Sequence, residues 1–323
     1  MSFNFEVKKV IEEILKLQAK RILLQLPEGL KPYGIKILTE IKNKTDATVF
    51  ISADPCYGAC DLALDAAKNL DIDLIIHYGH TPFKHLKDEI NGVKVLYIKA
   101  EAMIGLSKVL RKIPSIVKPY SNIGLASSIQ HVHKLKDVKN FLEKKGFKVY
   151  IGKTGGLAVY DGQVLGCDYT TVKNILRFVD AYLYIGGGVF HPLGIFLETR
   201  KPVFSADPYT GNILNVSDIG SKILAYRKAA LAKLIEAKNV GILVGLKPGQ
   251  KNMKIAEDVF KVLRKNGKNV FLFCLNEITP ENLENFPEID VYVNTACPRV
   301  GLDDYDRFSK PIILPKEVFE VYD

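Results

Sequence analysis

The sequence holds no uninterrupted apolar run of about 18 residues, the length a helix needs to cross a bilayer, so no membrane span is expected. Its first segment, MSFNFEVKKVIEEILKLQAK, lacks the apolar core and cleavage site of a secretory signal. It reads instead as an amphipathic helix with Phe5, Val7, Ile11, Ile14 and Leu15 near one face, and that face is a candidate interface between copies. A cytoplasmic protein is the expectation. Blocks of like charge are missing too. The net charge of +9 arises from 45 basic and 36 acidic residues scattered along the chain. Scattered charge reads as solvated helix faces, so no direct nucleic-acid partner is expected. No long segment is poor in large apolar residues, which excludes extended disorder. Tryptophan is absent, and the Lys- and Ile-rich remainder fits genome bias or a hot habitat.

Cysteine is scarce: Cys56, Cys60, Cys167, Cys274 and Cys297 are the full set. In a reducing cytosol each is core or chemistry, not part of a disulfide framework. The compact C-x3-C-x2-C triplet of common radical enzymes does not occur, because Ala63 stands where its third cysteine would be. Cys56 and Cys60 leave a C-x3-C pair, a weak signal alone. Cys274 lies in VFLFCLN, a strand pattern, and reads as a small core residue.

What the chain does contain is a repeat. The segments from Arg21 to Ser52, Asn122 to Gly152 and Asn239 to Phe273 each run from a β-rich apolar stretch through a polar or Gly/Pro loop into an amphipathic helix and a second apolar stretch. A third apolar stretch follows in each, opening on acidic residues at Asp71, Asp180 and Glu288–Asp290, with a near-constant step of about 110 residues. A fourth closes each segment at Val93–Ile98, Pro202–Ser205 and Pro311–Leu314. Continuous Val/Ile/Leu runs alternating with helices imply parallel strands buried on both faces. The predicted fold is α/β: three tandem pseudo-repeated units, each a small four-stranded parallel sheet flanked by helices, over residues 1–101, 102–215 and 216–323. Extra helices are expected around Ala102–Ile113 and Ser217–Lys238. The competing arrangement is one large doubly wound sheet without internal symmetry.

Ligands of parallel α/β units bind at the carboxyl ends of the strands. The loops expected there include Gln25–Pro32, Ser52–Asp61, Tyr78–Pro82, Ser127–His133, Gly152–Thr171, Gly186–Pro192, Gly245–Gln250 and Asn294–Asp304. Cys60, Cys167 and Cys297 sit in these loops, one per unit. Three units about a pseudo-threefold axis would bring these thiolates to one point, where they would hold an iron–sulfur cluster with one iron left open. The placement is not strictly threefold, since Cys60 and Cys167 follow second strands and Cys297 follows a third. Taken singly, each is as compatible with structure as with chemistry.

Taken together, QLPEGL at Gln25–Leu30, YGACDLA at Tyr57–Ala63, LGCDY at Leu165–Tyr169, KPGQ at Lys247–Gln250 and ACPRVGLDDY at Ala296–Tyr305 resemble the diphthamide biosynthesis family in its archaeal form, over essentially the whole chain. The resemblance implies a homodimer of three-unit subunits, each carrying a 4Fe-4S cluster held by Cys60, Cys167 and Cys297. Cys56 lies outside the shared motif and the ligand set. It further implies S-adenosylmethionine as substrate, a histidine of translation elongation factor 2 as acceptor, and an electron donor that the sequence does not identify. The implied reaction is radical transfer of the 3-amino-3-carboxypropyl group to carbon 2 of the imidazole, with methylthioadenosine leaving.

Supporting residues follow. Gly186, Gly187 and Gly188 let backbone approach the substrate or simply make a tight turn. Arg299 pairs with the substrate carboxylate or with a surface partner. Gln250 meets a polar ligand group or caps the helix it precedes. Asp168 reads as a helix N-cap, and Glu28 and His80 as loop residues, His80 being a lone histidine more often structural than catalytic. Three rival readings stand beside this one: a quinolinate-synthase-like enzyme using the open iron as Lewis acid, a zinc-stabilised binding protein of the translation machinery, and a scaffold with core cysteines only.

Overall fold

Uncharged Val/Ile/Leu runs have no polar face to offer water, so they form the inner strands of sheets covered on both sides. The computed structural model describes residues 3–83, 89–90, 92–302 and 306–322; Asp303, Asp304 and Tyr305, the end of the ACPRVGLDDY motif, lie outside them. The chain divides into two compact units, Met1–Ser217 and Asp218–Asp323.

Besides a two-stranded antiparallel pair, Phe3–Asn4 with Glu101–Ala102, the first unit carries two larger sheets. One is built from β1 (Arg21–Gln25), β2 (Thr48–Ile51), β3 (Leu74–Tyr78) and β4 (Val93–Ile98), parallel and ordered β2-β1-β3-β4, with Glu89–Ile90 added antiparallel beside β4. The other uses β5 (Asn122–Ser127), β6 (Lys148–Ile151), β7 (Ala181–Ile185) and β8 (Val203–Ala206), parallel and ordered β6-β5-β7-β8, with Ile213–Asn215 antiparallel beside β8. The second unit has β9 (Asn239–Gly245), β10 (Asn269–Leu275), β11 (Val291–Asn294) and β12 (Ile312–Ile313), all parallel in the order β10-β9-β11-β12. Each of the three expected four-stranded parallel sheets is therefore present, and two of them gain a short antiparallel edge strand.

Alternation along a strand sends neighbouring side chains to opposite faces. In the first sheet Ile22 and Leu24 pack with Val10 and Ile14 of α1 (Val7–Leu17) and with Ile37 and Ile41 of α2 (Gly34–Lys42), while Leu23 faces Leu62 and Ala67 on the other side. Docking on this sheet uses the apolar face of α1. That face is core, not the interface between copies expected from its periodicity, and only Leu15 at 58% stays exposed. In the second sheet Ile123, Leu125 and Leu183 pack under α3 (Leu135–Glu143). In the second unit α5 (Ser217–Glu236), α6 (Met253–Lys265) and α7 (Pro315–Tyr322) cover Val240, Ile242, Val291 and Val293; α4 (Phe190–Thr199) belongs to the first unit. The helix expected near Ala102–Ile113 is two short ones, Ser107–Leu110 and Ile113–Val117. Pro114 sits at the start of the second and has no N–H for a continuous ladder.

Cys274 lies in a strand as read, but it is exposed. Its strand, β10, is the sheet's outer edge, and Phe271 (47%) and Leu272 (54%) are exposed beside it. An edge strand has a neighbour on one side alone, so its apolar sequence does not guarantee burial.

An acidic residue at the start of each third strand is a clamp; in the first sheet it is Asp73, whereas Asp71, read from the sequence as the opening residue, lies in the turn before it. Asp73 Oδ2 accepts the Lys20 and Arg21 amides at 2.7 and 2.8 Å. Asp180 Oδ2 accepts those of Ser121 and Asn122 at 3.2 and 2.9 Å. Asp290 Oδ2 accepts those of Lys238 and Asn239 at 2.9 and 2.8 Å. Each carboxylate thus fixes the start of the first strand of its sheet against the third. Backbone hydrogen bonds, from Asn122 and Asn239 respectively, hold the Asp180 and Asp290 carboxyls below their usual pKa. A depressed native pKa gives stabilisation that is complete above the unfolded value near ~4 and disappears as pH falls through the lower native value. The stability deficit of Asp290→Asn against wild type, read by urea unfolding, is expected to be constant above about pH 5 and to vanish on acidification below the carboxylate range.

Two sheets share a close packing of glycine on tyrosine. A Cβ on Gly124 would lie 2.6 Å from Tyr182 Cδ1, and one on Gly241 would lie 2.6 Å from Tyr292 Cδ1. The Tyr182 hydroxyl donates to the Val172 carbonyl at 2.7 Å, and Tyr292 to Leu283 at 3.1 Å, so neither ring can withdraw without losing a buried hydrogen bond. Gly124→Ala is expected to destabilise by about 1–3 kcal/mol through overpacking, measurable as a lower urea midpoint.

Candidate active site

The site residues occupy loops beyond the carboxyl ends of parallel strands, and each loop is shaped by polar side chains beside its cysteine. In the first sheet β1 ends on Gln25, which is 2% exposed. Gln25 Nε2 donates to the Asp61 carbonyl at 2.6 Å, and Gln25 Oε1 accepts the Ala63 amide at 3.3 Å. Asp61 closes the turn by accepting the Tyr57 amide at 3.2 Å and donating its own amide to Gly58. Cys60 lies inside this turn, half-buried. The QLPEGLKP loop braces the same segment: Lys31 Nζ bonds Glu28 at 2.6 Å and the Ala53 and Asp54 carbonyls at 2.8 and 2.9 Å. Glu28 thus serves as an ion partner in an exposed pair.

His80 is not a solitary loop histidine. Its Nδ1 lies 2.9 Å from Nε2 of His77, the penultimate residue of β3, whose Nδ1 lies 2.9 Å from Gln25 Oε1. Burial pushes the His77 imidazole well below its usual pKa, with His80 adding to the effect, and burial pushes His80 down to about 4. Both rings are neutral at neutral pH.

In the second sheet the long Gly152–Thr171 loop is organised by Asp168. Its Oδ2 accepts the Leu157 and Ala158 amides at 2.6 and 3.1 Å, and its Oδ1 accepts the Thr170 amide and hydroxyl at 2.9 and 2.6 Å. The short helix Thr170–Lys173 has Tyr169 at its cap position, so Asp168 acts as a loop clamp and not as the N-cap expected. Buried Gln163 accepts the Val159 and Tyr160 amides and donates to Thr81 at 3.1 Å, which ties the loop to the neighbouring Tyr78–Pro82 segment. Cys167 is exposed on the loop so formed. Gly186, Gly187 and Gly188 follow β7 as a turn into α4. Gly186 (φ 153°) is packed on Tyr184 and Gly188 has φ 78°, whereas Gly187 is exposed near Asp207 and Tyr209.

In the second unit β11 ends on Asn294, 2% exposed, whose Nδ2 donates to the Cys297 carbonyl at 2.7 Å and whose Oδ1 accepts the Ala296 amide at 2.9 Å. Cys297 and Arg299 are half-buried, and Arg299 begins the short helix Arg299–Leu302. A Cβ on Gly245 would lie 2.7 Å from Ala296 Cβ and 3.4 Å from Gln250 Cβ, so the β9 loop and the cysteine loop are pressed together there. Gln250 does not cap α6; Asn252 does, accepting the Ile255 amide at 3.2 Å.

The sequence reading passed over His77, Gln25, Asp61, Asn294 and Arg227. His77, Gln25 and Asn294 share a recognisable pattern, a polar residue at or next to the carboxyl end of an otherwise apolar strand, whereas Asp61 lies in the cysteine loop well beyond Thr48–Ile51. Arg227 lies on the apolar stripe of α5 with Ile223, Ala230 and Leu234, all buried.

These loops and this strand order have known counterparts. The sequence profile of the diphthamide synthesis proteins matches residues 26–323. The chain is 37% identical over 311 residues to the 2-(3-amino-3-carboxypropyl)histidine synthase of Pyrococcus horikoshii, covering 96% of this chain and 88% of the relative. It is 31% identical over 318 residues to subunit 1 of the corresponding Mus musculus synthase, covering 98% and 71%. Among solved structures, Dph2 from Pyrococcus horikoshii with a 4Fe-4S cluster superposes with a TM-score of 0.88 at 34% identity, over 100% of this chain and 91% of that one. The chain therefore belongs to the diphthamide synthesis family and is an enzyme of the transferase class.

Proposed function

We propose that the chain is a 2-(3-amino-3-carboxypropyl)histidine synthase that moves the 3-amino-3-carboxypropyl group of S-adenosylmethionine onto carbon 2 of a histidine in translation elongation factor 2. The observation that carries this reading is its likeness, along the whole chain, to a structure that contains a 4Fe-4S cluster. Cys60, Cys167 and Cys297 would hold that cluster here. Thiolates are its ordinary ligands, and all three lie in strand-end loops whose shape is held by neighbouring polar groups, namely Gln25 with Asp61, Asp168, and Asn294. When bound, the cluster supplies the electron that cleavage of the sulfonium–γ-carbon bond requires.

The remaining work falls to the polypeptide: orienting the substrate and excluding water. Arg299 pairs with the methionine carboxylate, a charge-assisted contact that fixes which end of the amino acid faces the cluster. Gly187 and Gly188 offer exposed backbone without side chains to the adenosyl or methionyl part. Gln250, beside the Cys297 loop, meets a polar group of the same ligand.

A homodimer, a cytoplasmic location and an external electron donor belong to this reading. Exposed Phe271 and Leu272 on β10 support an apolar contact between copies. Among the described residues no helix is long and apolar enough to cross a membrane.

The test is anaerobic. Purified chain, reduced with dithionite, is incubated with S-adenosylmethionine and elongation factor 2 while methylthioadenosine and acceptor mass are followed. The expected result is a brown protein that releases methylthioadenosine and adds one aminocarboxypropyl group to one histidine. A brown protein inert toward this pair would favour the Lewis-acid alternative, and a colourless one without iron after reconstitution would sink the cluster assignment.

A further inference from the structure

Cys56, in the same loop as Cys60, is buried, and it meets the two histidines of the first sheet. The ligating atoms of Cys56, His77 and His80 all lie within 4.8 Å of one another. We propose that these three residues form a second metal site, contained in the first unit, that takes a divalent ion of the zinc class independently of the cluster cysteines.

The donor set suits such an ion. One thiolate and two imidazoles are ordinary zinc ligands, with bonds of about 2.3 Å to sulfur and about 2.0–2.1 Å to nitrogen. Tetrahedral geometry with those bonds separates the ligand atoms by roughly 3.3–3.6 Å, within the span observed. His77 Nε2 and His80 Nδ1, at 2.9 Å, need to part by only about half an ångström, and His80 is the partly exposed member. Three protein ligands leave a fourth position for water or an outside ligand.

The histidine tautomer is settled by the neighbours. Gln25 donates from Nε2 to the Asp61 carbonyl and accepts the Ala63 amide at Oε1, so Oε1 is an acceptor and His77 must donate to it from Nδ1. That leaves the Nε2 lone pair aimed at His80. An imidazole whose second nitrogen donates to a carbonyl oxygen is the usual arrangement of a metal-bound histidine. The turn that folds His80 back onto His77 depends on Gly79, at φ 79°, where a Cβ would lie 2.9 Å from Pro27 Cγ.

Gln25 gives the site a consequence. It joins His77 to Asp61 and Ala63, on the far side of Cys60, so an ion at Cys56–His77–His80 braces the Cys60 loop from both ends.

The test uses the full chain with Cys60→Ser, Cys167→Ser, Cys274→Ser and Cys297→Ser, leaving Cys56 as its one thiol, titrated with Co2+. The expected result is saturation at about one equivalent, with a thiolate-to-cobalt charge-transfer band that Zn2+ abolishes by displacement. The band is expected to disappear on adding Cys56→Ser. Gln25→Ala is expected to weaken binding by about 10–100-fold, as loss of an outer-shell partner does. No charge-transfer band, or one that survives Cys56→Ser, overturns the proposal. Should circular dichroism show the four-serine chain unfolded, zinc is assayed in the cluster-loaded chain. About one zinc per chain that is lost in Cys56→Ser with iron unchanged supports the site, and zinc absent or indifferent to that substitution overturns it.

Discussion

Replacing Cys60, Cys167 or Cys297 by alanine is expected to abolish iron retention and transfer activity, while Cys274→Ala changes neither. Removing a partner that merely orients a metal ligand typically costs about 10–100-fold in affinity or activity. Removing one of the three thiolates proposed as ligands is expected to cost more, because a cluster held by three cysteines instead of the usual four has none to spare. Iron per chain after anaerobic reconstitution, the visible absorption band and methylthioadenosine release are the three readouts. Cys274 is a fair control because it is exposed on the edge strand Asn269–Leu275, and its loss opens no cavity. Retention of full iron and activity in any one of the three alanine variants would remove that residue from the ligand set. Cys56→Ala is expected to keep the iron, and that separates the cluster from the second site proposed above.

The second large effect concerns stability. Arg227 of α5 is buried with Glu317 of α7, side-chain exposures being 6% and 9%. Its Nε donates to Glu317 Oε1 at 2.8 Å and its Nη2 pairs with Glu317 Oε2. Its Nη1 donates to the carbonyls of Gly301 at 2.6 Å and Ile312 at 2.8 Å. Glu317 also accepts the Leu314 amide at 2.7 Å. One guanidinium therefore joins two helices, the last strand and the short helix directly after the Cys297 turn. Arg227→Met is expected to destabilise the second unit by about 3–5 kcal/mol, because it leaves a buried carboxylate and two carbonyls without their donor. The double variant Arg227→Met/Glu317→Leu is expected to recover much of that loss, since the uncompensated charge is gone. Urea unfolding of the single and double variants checks the order. A single variant as stable as wild type would mean that the pair is not desolvated in solution. Because Nη1 holds Gly301, the single variant is also expected to lose reconstituted iron faster on warming.

The sequence by itself determined the secondary-structure order and the sheet type. The apolar runs at Arg21–Gln25, Asn122–Ser127 and Asn239–Gly245, each followed by a loop, an amphipathic helix and another run, can bury their surface in few other ways than a parallel sheet. It also marked the cysteine loops, because glycine, proline and polar residues break apolar runs where strands end. Tertiary structure decided what periodicity cannot express. Cys274 read as core, yet β10 is an edge strand, and edge position follows from strand order rather than from any local pattern. The stripe of α1 was legible, but not what it covers; packing on β1 and β3 settled that. Asp168 looked like a helix cap because acidic residues before helices usually are, whereas its four hydrogen bonds reach back across the loop to Leu157 and Ala158 as well as to Thr170. The association of Cys56, His77 and His80 was invisible for the same reason. The two histidines lie on and just beyond a strand and the cysteine in a separate loop, and only the pairing of β1 with β3, bridged by Gln25, brings them into reach.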